Sequence, residues 1–206
     1  MAVRFTTVEK EASEEQIIER SRFIAQVRRT DSREEAEAFI SDVRARYKDA
    51  THNVPAFVLG EKQSLQWASD DGEPQGTSGA PIVQMLVKEG LTNLTVVVTR
   101  YFGGIKLGTG GLVRAYTSSA RLALDAAGRH DVKDVIHQEI ILPYNLLGKA
   151  QNLSKELPFT ITGIKYTDTV QIGLDFEPEE EYHILTAFSE ITSGNLKTIS
   201  TEKFVR

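Results

Sequence analysis

The chain has 206 residues, 40% of them hydrophobic, with a formal charge of −5 and no cysteine. That length supports one large or two small cores. The missing cysteines exclude disulfides, thiol nucleophiles and thiolate zinc sites and suit a reducing cytosol, and the net charge offers no global attraction to nucleic acid. The acid is concentrated late, with a net of −1 up to Gly128 and −4 beyond it, so any polyanion contact requires a local basic patch, expected in the first part. No run approaches the roughly 18 to 20 apolar residues that span a bilayer, and the N-terminal segment lacks a signal-like apolar stretch, so a cytoplasmic protein with no membrane contact is expected.

In chain order, FIAQVRRT (residues 23–30) alternates as a strand, and Ser32 then caps a helix with Glu34 and Glu35 in its first turn, running to about Tyr47. Val54 to Leu59 and Leu65 to Ala68 read as strands around the turn at Gly60-Glu61-Lys62, and Asp70-Asp71-Gly72-Glu73-Pro74 is a polar breaker. Ser78 is expected to cap a second helix, with Ile82, Met85 and Leu86 on one face and Gly90 as its stop. The β-branched run from Leu94 to Thr99 suits a central strand buried on both faces. A third helix starts near Gly110 or Gly111 and ends at Gly128, with small residues at Ala115, Ser118, Ser119 and Ala120 that allow close packing on a sheet.

Beyond Gly128 the rhythm changes to strand (134–142), helix (144–157), strand (159–166), strand (169–176), helix (179–192) and strand (195–204). This βαββαβ order predicts a ferredoxin-like sandwich. The acidic run from Glu177 to Glu181 reads as a solvated helix start, where carboxylates suit the helix dipole.

The densest feature is VVVTRYFGGIKLGTGGLVRAY, residues 96–116, in which a strand meets five glycines surrounded by Arg100, Lys106 and Arg114. Counted out, the block fails the common nucleotide fingerprints. Val113 stands where a dinucleotide turn needs its third glycine, and no Gly-Lys-Ser/Thr occurs. The remaining expectation is an anion- or nucleic-acid-binding turn built from Arg100, Tyr101, Gly103, Gly104, Lys106, Gly108, Gly110, Gly111 and Arg114, with Tyr101 and Phe102 offering rings for stacking. The alternative is that these glycines serve close packing. His52, upstream of Asp70 and Asp71, is the histidine in a suggestive setting, and all three are candidates for orienting a ligand. As a base with carboxylates the set would make a small-molecule or phosphoester hydrolase, yet no metal spacing or nucleophile elbow accompanies it. No metal site, cofactor or catalytic residue is assigned.

Four blocks, SRFIA (21–25), ATHN (50–53), SDDGEP with GTSG (69–79) and VTRYFGG through Gly111, resemble in order and length the YigZ/Impact family. Many relatives carry cysteine after the His-Asn pair, whereas Val54 stands here. The resemblance implies an α+β chain with a ribosomal protein S5 domain 2-like domain over residues 1–130 and a ferredoxin-like domain, similar to one in elongation factor G, over 131–206. Eukaryotic Impact regulates translation by binding a ribosome-associated activator of a stress kinase. For this chain the resemblance implies a non-enzymatic role around RNA or the ribosome, with a protein-interaction module as the alternative that sequence does not separate from it.

Overall fold

The computed structural model describes residues 3–206 and contains two compact units, one formed by Phe5–Asp131 and the other by Val132–Arg206 with Val3 and Arg4. Residues 1 and 2, which open the expected first domain, lie outside the described residues. The strand β1 (Val3–Val8) and the strand β7 (Arg129–Leu142) each straddle the boundary. The architecture is mixed α+β, with antiparallel sheets and five α-helices among the described residues.

In the first unit β2 (Ala12–Ile18), β3 (Ser21–Arg29), β4 (His52–Leu59), β5 (Leu65–Ala68) and β6 (Leu94–Tyr101) form one antiparallel sheet in the order β2-β3-β6-β4-β5. The central strand β6 divides its side chains between two cores. Val96 and Val98 pack with Ile82, Leu86, Leu112 and Tyr116 beneath α2 (Gly79–Lys88) and α3 (Gly108–Ala127), whereas Val97 packs with Phe39, Ile40 and Val43 of α1 (Arg33–Arg46). A strand covered on both faces has no polar alternation, which is why its sequence is a continuous apolar run.

Local signals explain most boundaries. Ser32 caps α1 by accepting from the Glu35 amide at 3.1 Å. Ser78 precedes α2 as expected but does not cap it, because its hydroxyl donates to Asp70 Oδ1 at 2.7 Å. Asp70 takes over the role: the same oxygen accepts from the Ser78 and Gly79 amides, and Oδ2 accepts from Gly76. A carboxylate at a helix start satisfies orphan amides and meets a favourable dipole. Two strands escaped the sequence pattern, β1 and β2. In β2 the face toward α3 carries Gln16, which donates to Ser118 and Ser119 at 2.8 and 2.7 Å, while Ile17 is 71% exposed on the other face, so hydrophobicity does not report its pleat.

The second unit has the ferredoxin-like order. β10 (Lys197–Val205) and β9 (Val170–Phe176) flank β7, and β8 (Phe159–Tyr166) lies outside β9, all antiparallel. Its helices are α4 (Leu147–Glu156) and α5 (Glu181–Ile191); each is preceded by one 3-10 turn, which accounts for starts a few residues later than the pattern suggests. Ile136, Ile140, Leu174, Phe176, Ile184 and Phe188 are central to the core. No helix among the described residues is long and apolar enough to cross a membrane.

Candidate functional site

The glycine block forms the turn from β6 into α3, and its glycines serve different ends. At Gly103 a Cβ would fall 2.0 Å from the Arg20 carbonyl oxygen, so this position exists to let the β2-β3 turn approach. Gly104 and Gly108 hold φ of 86° and 71°, a left-handed backbone that L side chains adopt at a cost. A Cβ at Gly111 would press on Leu107 at 3.0 Å, but one at Gly110 would meet only the Arg114 guanidinium at 3.7 Å, an ordinary contact. Close packing therefore accounts for Gly103, backbone conformation for Gly104 and Gly108, and neither for Gly110.

Beside this turn lies a cleft of about 440 Å³ lined by residues that include His52, Glu73, Arg100, Phe102, Lys106 and Leu112. A buried charge cluster forms its floor. Arg100 donates from Nη1 to Glu73 Oε1 at 2.7 Å and from Nη2 to Ser21 Oγ at 3.1 Å, with side chains only 5% and 4% exposed for Arg100 and Glu73. The Tyr116 hydroxyl donates to the same Glu73 oxygen at 2.7 Å. Burial pushes the Tyr116 phenol far above its usual range and the Glu73 hydrogen bond adds to it, so the phenol remains a donor. Arg100 Nε is buried with no hydrogen-bond partner among the described residues. A charge this deep persists only when paired, and Glu73 supplies the pairing from the loop after β5.

The second group of predicted residues shapes that loop. His52 Nδ1 lies 2.7 Å from the Asp71 carbonyl oxygen, and its Nε2 lies 3.8 Å from Glu73 Oε1. Asp71 Oδ2 accepts from the Asn53 amide at 2.6 Å and Oδ1 from Arg44 at 3.0 Å. Asp70 is turned to the start of α2. Burial raises its carboxyl, but the Gly76 amide, the Ser78 hydroxyl and the Gly79 and Ser78 amides together outweigh that and hold it below the usual carboxylate value. His52 and Arg100 thus share the cleft, whereas both aspartate side chains are engaged in holding the loop that carries Glu73.

The rim differs from the floor. Lys106 on the cleft and Arg114 further along α3 are exposed, and neither side chain has an ion-pair or hydrogen-bond partner among the described residues. The first turn of α3, starting at Gly108 and Thr109, opens on the cleft, and its preceding residue Leu107 provides no side-chain cap. Phe102 is 46% exposed, with the Arg100 guanidinium carbon 5.3 Å from its ring centre. The rings expected to act together are separated: Phe102 lines the cleft, while the Tyr101 hydroxyl donates to Asp49 at 3.0 Å. Arg100 is likewise separated from Lys106 and Arg114 by its burial.

Sequence reasoning left out Glu73 and Tyr116 as members of the site. The signal for Glu73 was present in Arg100 itself, because an arginine closing a strand buried on both faces requires a carboxylate partner. Tyr116 lies on the stripe of α3 that faces the sheet, and a phenol there needs an acceptor.

The Impact N-terminal domain model matches residues 19–124, which contain the cleft, and the domain of unknown function DUF1949 matches residues 140–195 of the second unit. The chain is 48% identical to "IMPACT family member YigZ" of Escherichia coli over 90% of its own length and 92% of that protein. It is 38% identical to "IMPACT family member YvyE" of Bacillus subtilis over 92% and 88% of the two chains. A crystal structure described as that of a hypothetical protein, 30% identical, aligns over 96% of this chain and 97% of the other with a TM-score of 0.58. With both family domains in order and these identities along nearly its full length, the chain belongs to the Impact family.

Proposed function

We propose that this protein is a non-enzymatic, RNA- or ribosome-associated regulator of translation acting in the cytoplasm. Its resemblance to eukaryotic Impact supports the translational setting. One observation carries the RNA reading: Lys106 and Arg114 stand exposed and without partners among the described residues, beside the uncapped first turn of α3. Unneutralised cations next to helix amides form an anion site, and repeated phosphates are the anion that a chain of net charge −5 would need a local patch to attract. The non-enzymatic reading rests on the engagement of both aspartates: Asp70 accepts from the Gly76 and Gly79 amides and Asp71 from the Asn53 amide and Arg44, so neither carboxylate is left to activate a water beside His52.

The test is binding to purified ribosomes and structured RNA across a salt series. Affinity is expected to fall as salt rises, because each neutralised phosphate releases counterions. The double variant Lys106→Glu, Arg114→Glu is expected to weaken binding, flatten the salt slope by about 1.5 units for two lost phosphate contacts and melt at the temperature of the parent. Absence of any affinity for ribosomes or RNA at low salt would remove the reading.

A further inference from the structure

The geometry points to a pocket for one unpaired nucleotide in the α3 cleft, selecting a base with an exocyclic amino group, and this inference rests on the RNA reading above. The cleft combines three chemistries that a nucleotide also combines. Phe102, Leu107 and Leu112 provide apolar wall, with Phe102 half exposed as a stacking surface for a base. Lys106 and the open first turn of α3 stand at the rim, where a phosphate would lie.

The third element is the floor. Glu73 has a side chain 4% exposed, and both hydrogen bonds it accepts, from Arg100 and Tyr116, fall on Oε1. Among the described residues Oε2 accepts none. Oε2 keeps a little solvent contact on this nearly buried side chain, and such an oxygen gains from a donor and is penalised when a ligand seals it in without one. An apolar peptide side chain in the cleft would impose that penalty, and the amino group of adenine, cytosine or guanine would remove it. Uracil places a carbonyl oxygen where cytosine has its amine, setting two acceptors against each other. A duplex keeps these base edges paired, so the nucleotide must be unpaired.

The experiment measures fluorescence anisotropy of the full chain at low salt with labelled octacytidylate, octauridylate and a blunt RNA duplex. Cytosine and uracil share a ring and differ in the amine, so this comparison needs no variant. Octacytidylate is expected to bind about tenfold more tightly than octauridylate. Phe102→Ala is expected to reduce octacytidylate binding about tenfold and to leave the duplex unaffected, while Lys106→Glu weakens all three. Equal affinity for the two oligonucleotides, or an unchanged octacytidylate affinity in Phe102→Ala, would overturn the nucleotide pocket and leave the RNA reading standing. Loss of every RNA and ribosome interaction in the parent protein would overturn both.

Discussion

Arg100 and Arg114 stand on either side of one glycine-rich turn and have opposite fates. Arg100 is 4% exposed and engaged with Glu73 and Ser21, while Arg114 is exposed and its side chain has no partner among the described residues. The same guanidinium is therefore a structural element at the cleft floor and an available charge on the exposed side of α3. Burial decides which, because a charge removed from water must be compensated within the fold, whereas an exposed one is solvated and costs little to leave unpaired. Substitutions on the two sides should accordingly separate stability from binding.

The largest effect is expected at the floor. Glu73→Ala leaves Arg100 buried without its carboxylate and should destabilise the first unit by about 3 to 5 kcal/mol, read from urea unfolding. Arg114→Ala, the exposed counterpart on α3, should remain within about 0.5 kcal/mol of the parent. Similar losses in both variants would erase the distinction between the buried and the exposed arginine. Gly103→Ala comes next, at about 1 to 3 kcal/mol from overpacking, since its Cβ would meet the Arg20 carbonyl carbon and oxygen at 2.1 and 2.0 Å. Parental stability in the Gly103→Ala variant would show that the β2-β3 turn yields freely.

Asp70 tests whether the loop holding Glu73 belongs with the floor. Asp70→Ala removes the acceptor for Gly76, Ser78 and Gly79 and should cost about 1 to 2 kcal/mol. The pH dependence has a definite sign. The folded carboxyl is held below its ordinary value of 3.8, so the unfolded chain binds this proton more readily. Its stabilisation is complete above that ordinary value and is lost as pH falls through the lower folded one. Unfolding free energies of parent and Asp70→Ala, measured from pH 6 downward, should converge at the acid end; a constant gap would assign the effect to packing instead.

Much of this organisation could be read from the chain, and the gaps have physical causes. The βαββαβ order of the second unit was legible because its strands and helices alternate in length and period. Ser32 was legible as a cap because capping is local, while the cap of α2 was not, since Asp70 reaches it from across a loop. β2 was hidden by Gln16 facing α3 and Ile17 facing solvent. At the site the glycine block stood out, but the Glu73–Arg100 pair depends on a loop folding back to β6, a contact that no period or spacing encodes. The separation of Arg100 from Arg114 is consequently a property of the tertiary fold.

The smallest expected effect is at Gly110, where stability and binding should move in opposite directions. Alanine is favoured over glycine inside a helix by about 1 kcal/mol, with less gained in the first turn, where α3 holds this residue. Its Cβ would meet only Arg114 at 3.7 Å, and its φ is not left-handed, so nothing in the fold opposes the exchange. A glycine standing where alanine fits better suggests a backbone kept open for something outside the chain. Gly110→Ala should therefore raise the melting temperature by a degree or two and weaken RNA binding by crowding the amides of the first turn of α3. Higher stability with unchanged binding would place the phosphate elsewhere on Lys106 and Arg114, and lower stability would mean that Gly110 has a structural duty like that of Gly103.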